Sequence, residues 1–322
     1  MKLFNFIKRS NTLILAIETS CDDTSLALIK NGQVIGLETA SSISQHQKYG
    51  GIVPEVAARG HEQAIYHVYT QLITNNHIDP NLFTHVAYTN TPGLPGSLHI
   101  GKTFAKVVAS MCGVKAIPID HMMGHAFSFA INEPQKISYP FLSLVVSGGN
   151  TILYKVNSPT SYSICVETKD DAVGEALDKI GRELKLPYPG GISIDRIYNP
   201  KFVVPTIKHL SPEQPFSFSG IKIHCINLIH NANQKHMSVD PITVGSSALK
   251  WVVDDLAIKV MYFAKKYNIK TIAIGGGVSA NSLLREVFTK LPHQIHLTQK
   301  KYSGDNAAMI GFYAALKLKI IS

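Results

Sequence analysis

Two histidines four residues apart, His121-Met-Met-Gly-His125, are the side chains of this sequence best spaced to hold a cation. On a helix that spacing sets both imidazoles on one face, within reach of a single metal ion. The chain carries 14 histidines, so a chance pair is the competing reading. Met122 stands where a zinc peptidase of the HExxH type has its general-base Glu, which counts against proteolysis. A third ligand has to come from elsewhere. Asp305, in Tyr302-Ser-Gly-Asp-Asn306, is an isolated carboxylate beside a glycine; its other reading is the N-cap of the last helix.

Other segments suit anions and hydroxyls. Ser147-Gly148-Gly149 and Gly275-Gly276-Gly277 each follow an apolar run, where glycine lets backbone N–H groups approach phosphate oxygens. An ordinary tight turn would use the same residues. Glu18-Thr-Ser-Cys-Asp-Asp23-Thr24 is a turn rich in hydroxyls and carboxylates, suited to a hydrated cation or to phosphates. Asp170 and Asp171 suit a helix N-terminus and its dipole. Glu175 and Asp178 share the next face, either meeting a ligand's hydroxyls or lying in solvent, with Glu175 and Lys179 as an i,i+4 pair. Tyr188-Pro-Gly-Gly191 and Phe216-Ser-Phe-Ser-Gly220-Ile-Lys222 read as loops able to cradle a base or ribose. Gly96-Ser-Leu-His-Ile-Gly101-Lys102-Thr103 satisfies the Walker A pattern. Thr91-Pro-Gly-Leu-Pro95 separates it from the preceding strand, however, whereas a P-loop turns off its strand within the glycine loop itself.

The elements that position these residues alternate. Apolar runs at 12–18, 86–90, 115–119, 141–146 and 271–274 read as strands, and Asn31-Gly32 marks a hairpin between 25–29 and 33–37. Helical patterns cover 54–75, 97–111, 170–184, 243–267 and a stretch from 281. Each half begins strand–turn–strand and continues with helices alternating with strands. The expected architecture is α/β, with two related lobes and a nucleotide cleft between them. Its division is a tail at 1–12, one lobe at 13–133, and a second at 134–322 carrying a helical insertion.

Composition agrees with a folded chain: of 322 residues 45% are hydrophobic and only 16% charged, too few charges for disorder or a coiled coil. Thirty-one basic against 22 acidic residues give a net charge of +9, which favours polyanionic partners. The cysteines Cys21, Cys112, Cys165 and Cys225 form no CxxC, and read as reduced thiols of a cytoplasm-like compartment. Residues 1–11 are too short, and lack the Ser/Arg-rich continuation, for a transit peptide.

Taken in order, nine strings resemble the TsaD family of tRNA threonylcarbamoyltransferases, relatives of sugar kinases, actin and the heat-shock chaperone ATPases. They are AIETSCDDTS, QHQKYGGIVPEVAARGH, TPGLPGSLHIGKTFAK, HMMGH, LVVSGGNT, DDAVGEALDKIGRELKLPYPGG, FSFSGIK, GGGVSANSLLRE and YSGDNAAMIG, spread from Ile14 to Tyr313. YGGIVPE is similar to the bacterial or organellar branch. The resemblance implies an actin-like (ribonuclease H-like) fold and a divalent metal, Fe2+ or Zn2+, on His121, His125 and Asp305. It implies substrate contacts from Val145, Val146, Ser147, Gly148 and Gly149, with Asp178, Gly191, Asp195 and Asn281 around an adenylate. The implied reaction moves threonylcarbamoyl from threonylcarbamoyl-AMP to N6 of the adenosine beside the anticodon, in tRNAs reading ANN codons. The implied partners are tRNA, a TsaB-like paralogue, a TsaE-like ATPase and an upstream threonylcarbamoyl-AMP synthase, with no membrane. Family members often carry an acid where this chain has Met123, so that side chain has no implied catalytic part. Lys102 is implied to be a surface residue of a structural helix. The rival readings are an actin-fold small-molecule kinase, a metallopeptidase, an inactive scaffolding paralogue and a P-loop ATPase.

Overall fold

The first apolar run becomes the middle strand of a sheet, and everything around it follows from its burial on both faces. In the computed structural model, which describes residues 11–47 and 49–321, the strand is Leu13–Glu18 (β1), buried at every position. Asp23–Lys30 (β2) pairs antiparallel with it, and Gln33–Ser41 (β3) turns back along β2. Asn31 and Gly32 make that turn with φ of 51° and 83°, the paired positive values of a type I′ hairpin. A short helix Ile43–Gln47 (α1) and the long helix Pro54–Asn76 (α2) precede His85–Thr91 (β4), which runs parallel to β1. Pro95–Met111 (α3) then leads to Lys115–Asp120 (β5), parallel to β4, and to His121–Phe127 (α4). The sheet order is β3-β2-β1-β4-β5. Ile65, Val68 and Leu72 of α2, with Ala105 and Val108 of α3, pack on Leu15, Ile17, Leu26 and Leu28. Each large apolar side chain so buried contributes roughly 1.5–3 kcal/mol.

The chain divides into two compact units, one running to Ser138 and resuming at Asp305, the other spanning Tyr139–Gly304. In the second unit the central strand is Phe141–Val146 (β6), with Thr151–Ser158 (β7) and Ser161–Glu167 (β8) as successive antiparallel neighbours. Helices follow at Val173–Glu183 (α5), Gly190–Ile197 (α6), Ser219–Gln234 (α7) and Pro241–Tyr267 (α8). Thr271–Gly275 (β9) runs parallel to β6; after Ser282–Thr289 (α9), Gln294–Leu297 (β10) runs parallel to β9. The order β10-β9-β6-β7-β8 is that of the first sheet: a central strand, a two-strand antiparallel meander on one side and two parallel strands on the other. Leu249, Val252, Val253, Leu256, Val260 and Phe263 of α8 line this unit's core, on the face that their spacing predicts.

The last helix, Ala307–Lys317 (α10), returns to the first unit and packs on β1 and β2. It is buried along its whole length to Leu316, as a helix apolar all round must be. The sequence-based division put residues 305–322 with the second lobe; α10 instead covers the second face of the first sheet. That cover explains why β1 reads as an unbroken apolar run and not as an alternation.

Several local expectations are corrected. The helix expected from 170 begins at Val173, because Asp170 and Asp171 are engaged elsewhere. Tyr188–Gly191 and Phe216–Lys222 are not wholly loops, since Gly190 opens α6 and Ser219 opens α7. The Walker A string lies inside α3 from its first turn, as its separation from the preceding strand led one to expect, so no phosphate loop forms there. The tail expected at 1–12 falls, to residue 10, outside the described residues. No helix among those described is long and apolar enough to cross a membrane.

Gly101 of that string is a packing glycine: a Cβ there would collide with the Thr19 hydroxyl, which donates to the Ser97 carbonyl at 2.9 Å. Gly101→Val is therefore expected to lose about 1–3 kcal/mol to overpacking, read as a lower thermal midpoint. Lys102→Ala, at the partly exposed next position, should leave the midpoint unchanged. Equal midpoints for the two variants would remove the packing role.

Candidate metal centre

β5 ends in Asp120, whose side chain accepts the Met123 N–H at 3.0 Å and so starts α4 at His121. This cap places His121 and His125 one turn apart, 5% and 1% exposed, with ring centroids 4.7 Å apart and planes at 83°. Met122 and Met123 are buried alongside them, which suits their apolar side chains. At the start of α10 two neighbouring residues divide the work. Asn306, not Asp305, is the N-cap, accepting the Met309 N–H at 3.1 Å. The Asp305 carboxylate is left to face the histidines, with Oδ1 3.0 Å from His125 Nε2 and 3.5 Å from His121 Nε2. One ligand atom from each of the three residues lies within 4.8 Å of the others.

Burial alone would raise the Asp305 carboxyl pKa, but the two imidazoles hold it far below the usual carboxylate range. Burial would likewise depress His121, yet the Glu18 and Asp305 carboxylates outweigh it and hold that imidazole well above its ordinary value. His125 moves the other way, lowered by burial despite Asp305. Buried negative charge therefore converges on this point, and a divalent cation would balance it in place of a proton. Two imidazole nitrogens and one carboxylate oxygen form a donor set that zinc and iron accept, and three protein ligands leave coordination positions open, as in catalytic sites.

The turn after β1 serves this centre differently from the expectation. Glu18 is wholly buried and points inward, where Ser20 N–H, the Thr89 hydroxyl and His121 Nδ1 surround it. It is not open to a hydrated cation or to phosphate. His61 of α2 clamps the same turn, with Nδ1 2.8 Å from the Thr24 hydroxyl and Nε2 3.0 Å from the Cys21 carbonyl. Burial pushes the Asp23 carboxyl up to about 6 and raises Asp22 as well.

The second unit gathers the other expected residues. Ser147 and Gly148 carbonyls accept the Gly174 and Glu175 N–H groups at 3.2 and 3.0 Å, fixing the turn after β6 against the start of α5. Gly174 has to be glycine, since a Cβ there would lie 2.7 Å from the Gly148 Cα. The Gly148 and Gly149 N–H groups make no hydrogen bond to the described residues, and the space beside both glycines is open. Asp178 accepts the Gly191 N–H at 3.0 Å; burial raises its carboxyl, which the Gly190 and Gly191 N–H groups partly offset. Both Asp195 oxygens accept the Ser282 N–H, at 3.2 and 3.0 Å, beside Asn281, which caps α9 through Leu284 N–H at 2.9 Å. Val145 and Val146 are buried in β6, in register with Ile152 and Thr151 of β7. Glu175 takes its bland reading, paired with Lys179 at 2.8 Å.

A sequence model of the TsaD family, tRNA N6-adenosine threonylcarbamoyltransferase, matches residues 33–312. The enzyme of that name from Ureaplasma parvum serovar 3 is 46% identical over 310 residues, 96% of this chain and 96% of its own. The one from Staphylococcus haemolyticus is 40% identical over 308 residues, 93% and 90% of the two chains. This chain belongs to the TsaD family. Its reaction is accordingly transfer of a threonylcarbamoyl group to N6 of a tRNA adenosine, forming t6A, and the kinase, peptidase and P-loop readings fall away. Solved structures resemble the fold alone, at 13% identity. HypF from T. kodakarensis has a TM-score of 0.62 over 96% of this chain and 48% of its own. The Acidaminococcus fermentans (R)-2-hydroxyglutaryl-CoA dehydratase component A has 0.56 over 96% and 99%. The architecture is thus the actin-like α/β fold that the TsaD resemblance implies.

Asp170 is a contact that helix-pattern reasoning missed. It accepts from Ser217 Oγ, Ser219 Oγ and Phe218 N–H at 2.5, 2.6 and 2.9 Å, tying the FSFSGIK segment to the start of α5. Burial would raise its carboxyl, but these donors hold it below the usual range. Its folded value thus lies below its unfolded one, and its stabilisation is complete above about pH 4 and fades as pH falls through the folded value. Asp170→Ala should lower the thermal midpoint at neutral pH, and the gap to wild type should narrow on acidification below that point. A gap constant down to pH 2 would contradict the assignment.

Proposed function

We propose that this TsaD chain takes its acyl group from threonylcarbamoyl-AMP and delivers it to the adenosine next to the anticodon in tRNAs reading ANN codons. One observation carries the reading of the site: His121 Nε2, His125 Nε2 and Asp305 Oδ1 converge at a buried point lined with excess negative charge. These residues would hold one divalent ion, Fe2+ or Zn2+. Bound there, the ion supplies Lewis acidity toward carbamoyl or threonyl oxygens and a template that orients them.

The remaining roles belong to the second unit. The Gly148 and Gly149 N–H groups have no acceptor among the described residues and suit the phosphate of the adenylate, where charge accumulates as AMP leaves. Val145, Val146 and Ser147 set the height of that turn. Asp178, which accepts the Gly191 N–H, would meet a ribose hydroxyl, and Asp195 and Asn281, neighbours at the start of α9, would meet the adenosine. The adenine N6 forms its bond to the carbamoyl carbon as the bond from that carbon to the phosphate oxygen breaks; AMP leaves with that electron pair and the N6 proton passes to its phosphate or to solvent, so no side chain needs to be acylated. The net charge of +9 favours the tRNA polyanion. A TsaB-like paralogue, a TsaE-like ATPase and a threonylcarbamoyl-AMP synthase in the cytoplasm complete the proposed setting.

The test is incubation with threonylcarbamoyl-AMP, unmodified tRNA and the proposed partners, followed by mass spectrometry of the nucleosides. Wild type should form t6A. His121→Ala should form it on the order of 100-fold more slowly, the loss expected when several kcal/mol of Lewis-acid stabilisation go. Full transfer by a folded His121→Ala protein would refute the metal reading.

A further inference from the structure

Glu18 ends β1, the middle strand of the first sheet, and its side chain has no exposure to solvent. A buried carboxylate is costly unless donors surround it. Here Oε1 accepts the Ser20 N–H at 2.5 Å, and Oε2 accepts the Thr89 hydroxyl and lies 3.0 Å from His121 Nδ1. The acceptor-only carboxylate requires that Nδ1 carry the hydrogen. The Ser20 hydroxyl, 3.2 Å from the same nitrogen, is a second acceptor within reach. With one hydrogen held on Nδ1, it is Nε2, the atom facing Asp305, that exchanges its proton for a cation and offers the lone pair.

We infer that Glu18 is the positioning residue of the metal centre: it fixes the tautomer and the ring plane of His121 so that Nε2 is presented as a ligand. The inference rests on the reading of His121, His125 and Asp305 as the metal site. Carboxylates behind ligating imidazoles act in this way generally. The arrangement is one-sided. His125 Nδ1 is buried with no hydrogen-bond partner among the described residues, so there only one of the two imidazoles is anchored by its second nitrogen. His125 is oriented by α4 itself and by the packing around its ring. Glu18 in turn is held by Thr89 of β4 and by the backbone of its own turn, so three elements of the first unit meet on one carboxylate.

Glu18→Gln separates orientation from bulk. The amide has the same shape but only one acceptor oxygen. If that oxygen keeps the Ser20 N–H, the NH2 faces His121 Nδ1 and favours the tautomer that protonates Nε2. If the amide flips, its NH2 meets the Ser20 N–H, donor against donor. Either way the ligand atom is lost or misplaced.

The experiment titrates full-length wild type, Glu18→Gln and Thr89→Val with Zn2+ alone by calorimetry. Thermal melts of the metal-free proteins and 15N spectra of the labelled histidines accompany it. Glu18→Gln is expected to bind Zn2+ about 10–100-fold more weakly than wild type while remaining folded, and to lose the Nδ1-protonated signature of zinc-loaded His121. Thr89→Val, which removes one donor from Glu18, should weaken binding by a smaller factor. A folded Glu18→Gln protein with wild-type affinity and an unchanged imidazole spectrum overturns the inference. Should Glu18→Gln fail to fold, unchanged affinity in Thr89→Val overturns it instead. A wild type that takes up neither Zn2+ nor Fe2+ overturns the metal centre itself, a result distinct from the other two.

Discussion

Glu18 and two imidazoles are buried beside the partly exposed Asp305 carboxylate where β1, α4 and the start of α10 meet, and the first unit is organised by the need to keep that cluster balanced. Glu18, His121, His125 and Asp305 come from three places in the sequence, and Asp305 lies 180 residues beyond His125. Removing any one partner leaves a buried charge uncompensated, which costs more than an exposed pair could return. The chain must therefore complete the second unit and come back before the cluster closes. The long excursion is tolerable because loop-closure entropy grows only slowly with length. The apolar surface of α10 on β1 and β2 then holds the ends together.

The same strand order occurs twice, and in both units the proposed function draws on the turn at the end of the central strand. After β1 the turn holds Glu18, Ser20 and the acidic pair Asp22 and Asp23; after β6 it is Ser147-Gly148-Gly149. The central strand is where each sheet changes from antiparallel neighbours to parallel ones. Strand ends at such a reversal leave backbone groups without a neighbouring loop to cover them, which is why ligands of α/β folds gather there. One topology has thus been fitted out twice, with imidazole and carboxylate in the first unit and with unsatisfied N–H groups in the second.

What could be read from the sequence was what depends on near neighbours. The Asn31-Gly32 hairpin, the apolar strands β1 and β6 and the α8 stripe are set by local patterns, and the residues show them directly. The His121–His125 pair is also local, since helical spacing fixes it. Asp305 was legible as a spare carboxylate, but its freedom depends on Asn306 taking the cap, a choice between adjacent residues that pattern alone leaves open. Glu18 looked like part of a cation or phosphate turn because nothing nearby shows that Thr89 and His121 will reach it. Asp170 and Asp171 looked like helix-start acids for the same reason; their partners, Ser217 to Ser219 and Lys222, lie about fifty residues on. β8 was missed because it is an edge strand, Ser-rich and exposed over its first four residues, so only its backbone pairing marks it. The Walker string matched a pattern, but its separation from the preceding strand already spoke against a phosphate loop, and a helix through Gly101 supplies the structure.

The place of Asp305 follows from core packing more than from any contact of its own. Asn306 caps α10, the Ala307 N–H donates to Ser25 Oγ of β2 at 3.0 Å, and Gly311 sits so close to Ile29 and Ala16 that no side chain fits. These contacts fix the axial position and the depth of the helix on the sheet, and Asp305 is the residue immediately before its cap. Ile310 and Met309 meanwhile lie over Gly124, between the two histidines of α4. Helix α10 therefore touches both halves of the candidate metal site, one through the carboxylate just before its cap and the other through the backbone it packs against. The spacing of the three candidate ligand atoms is in that sense a property of the first unit's core.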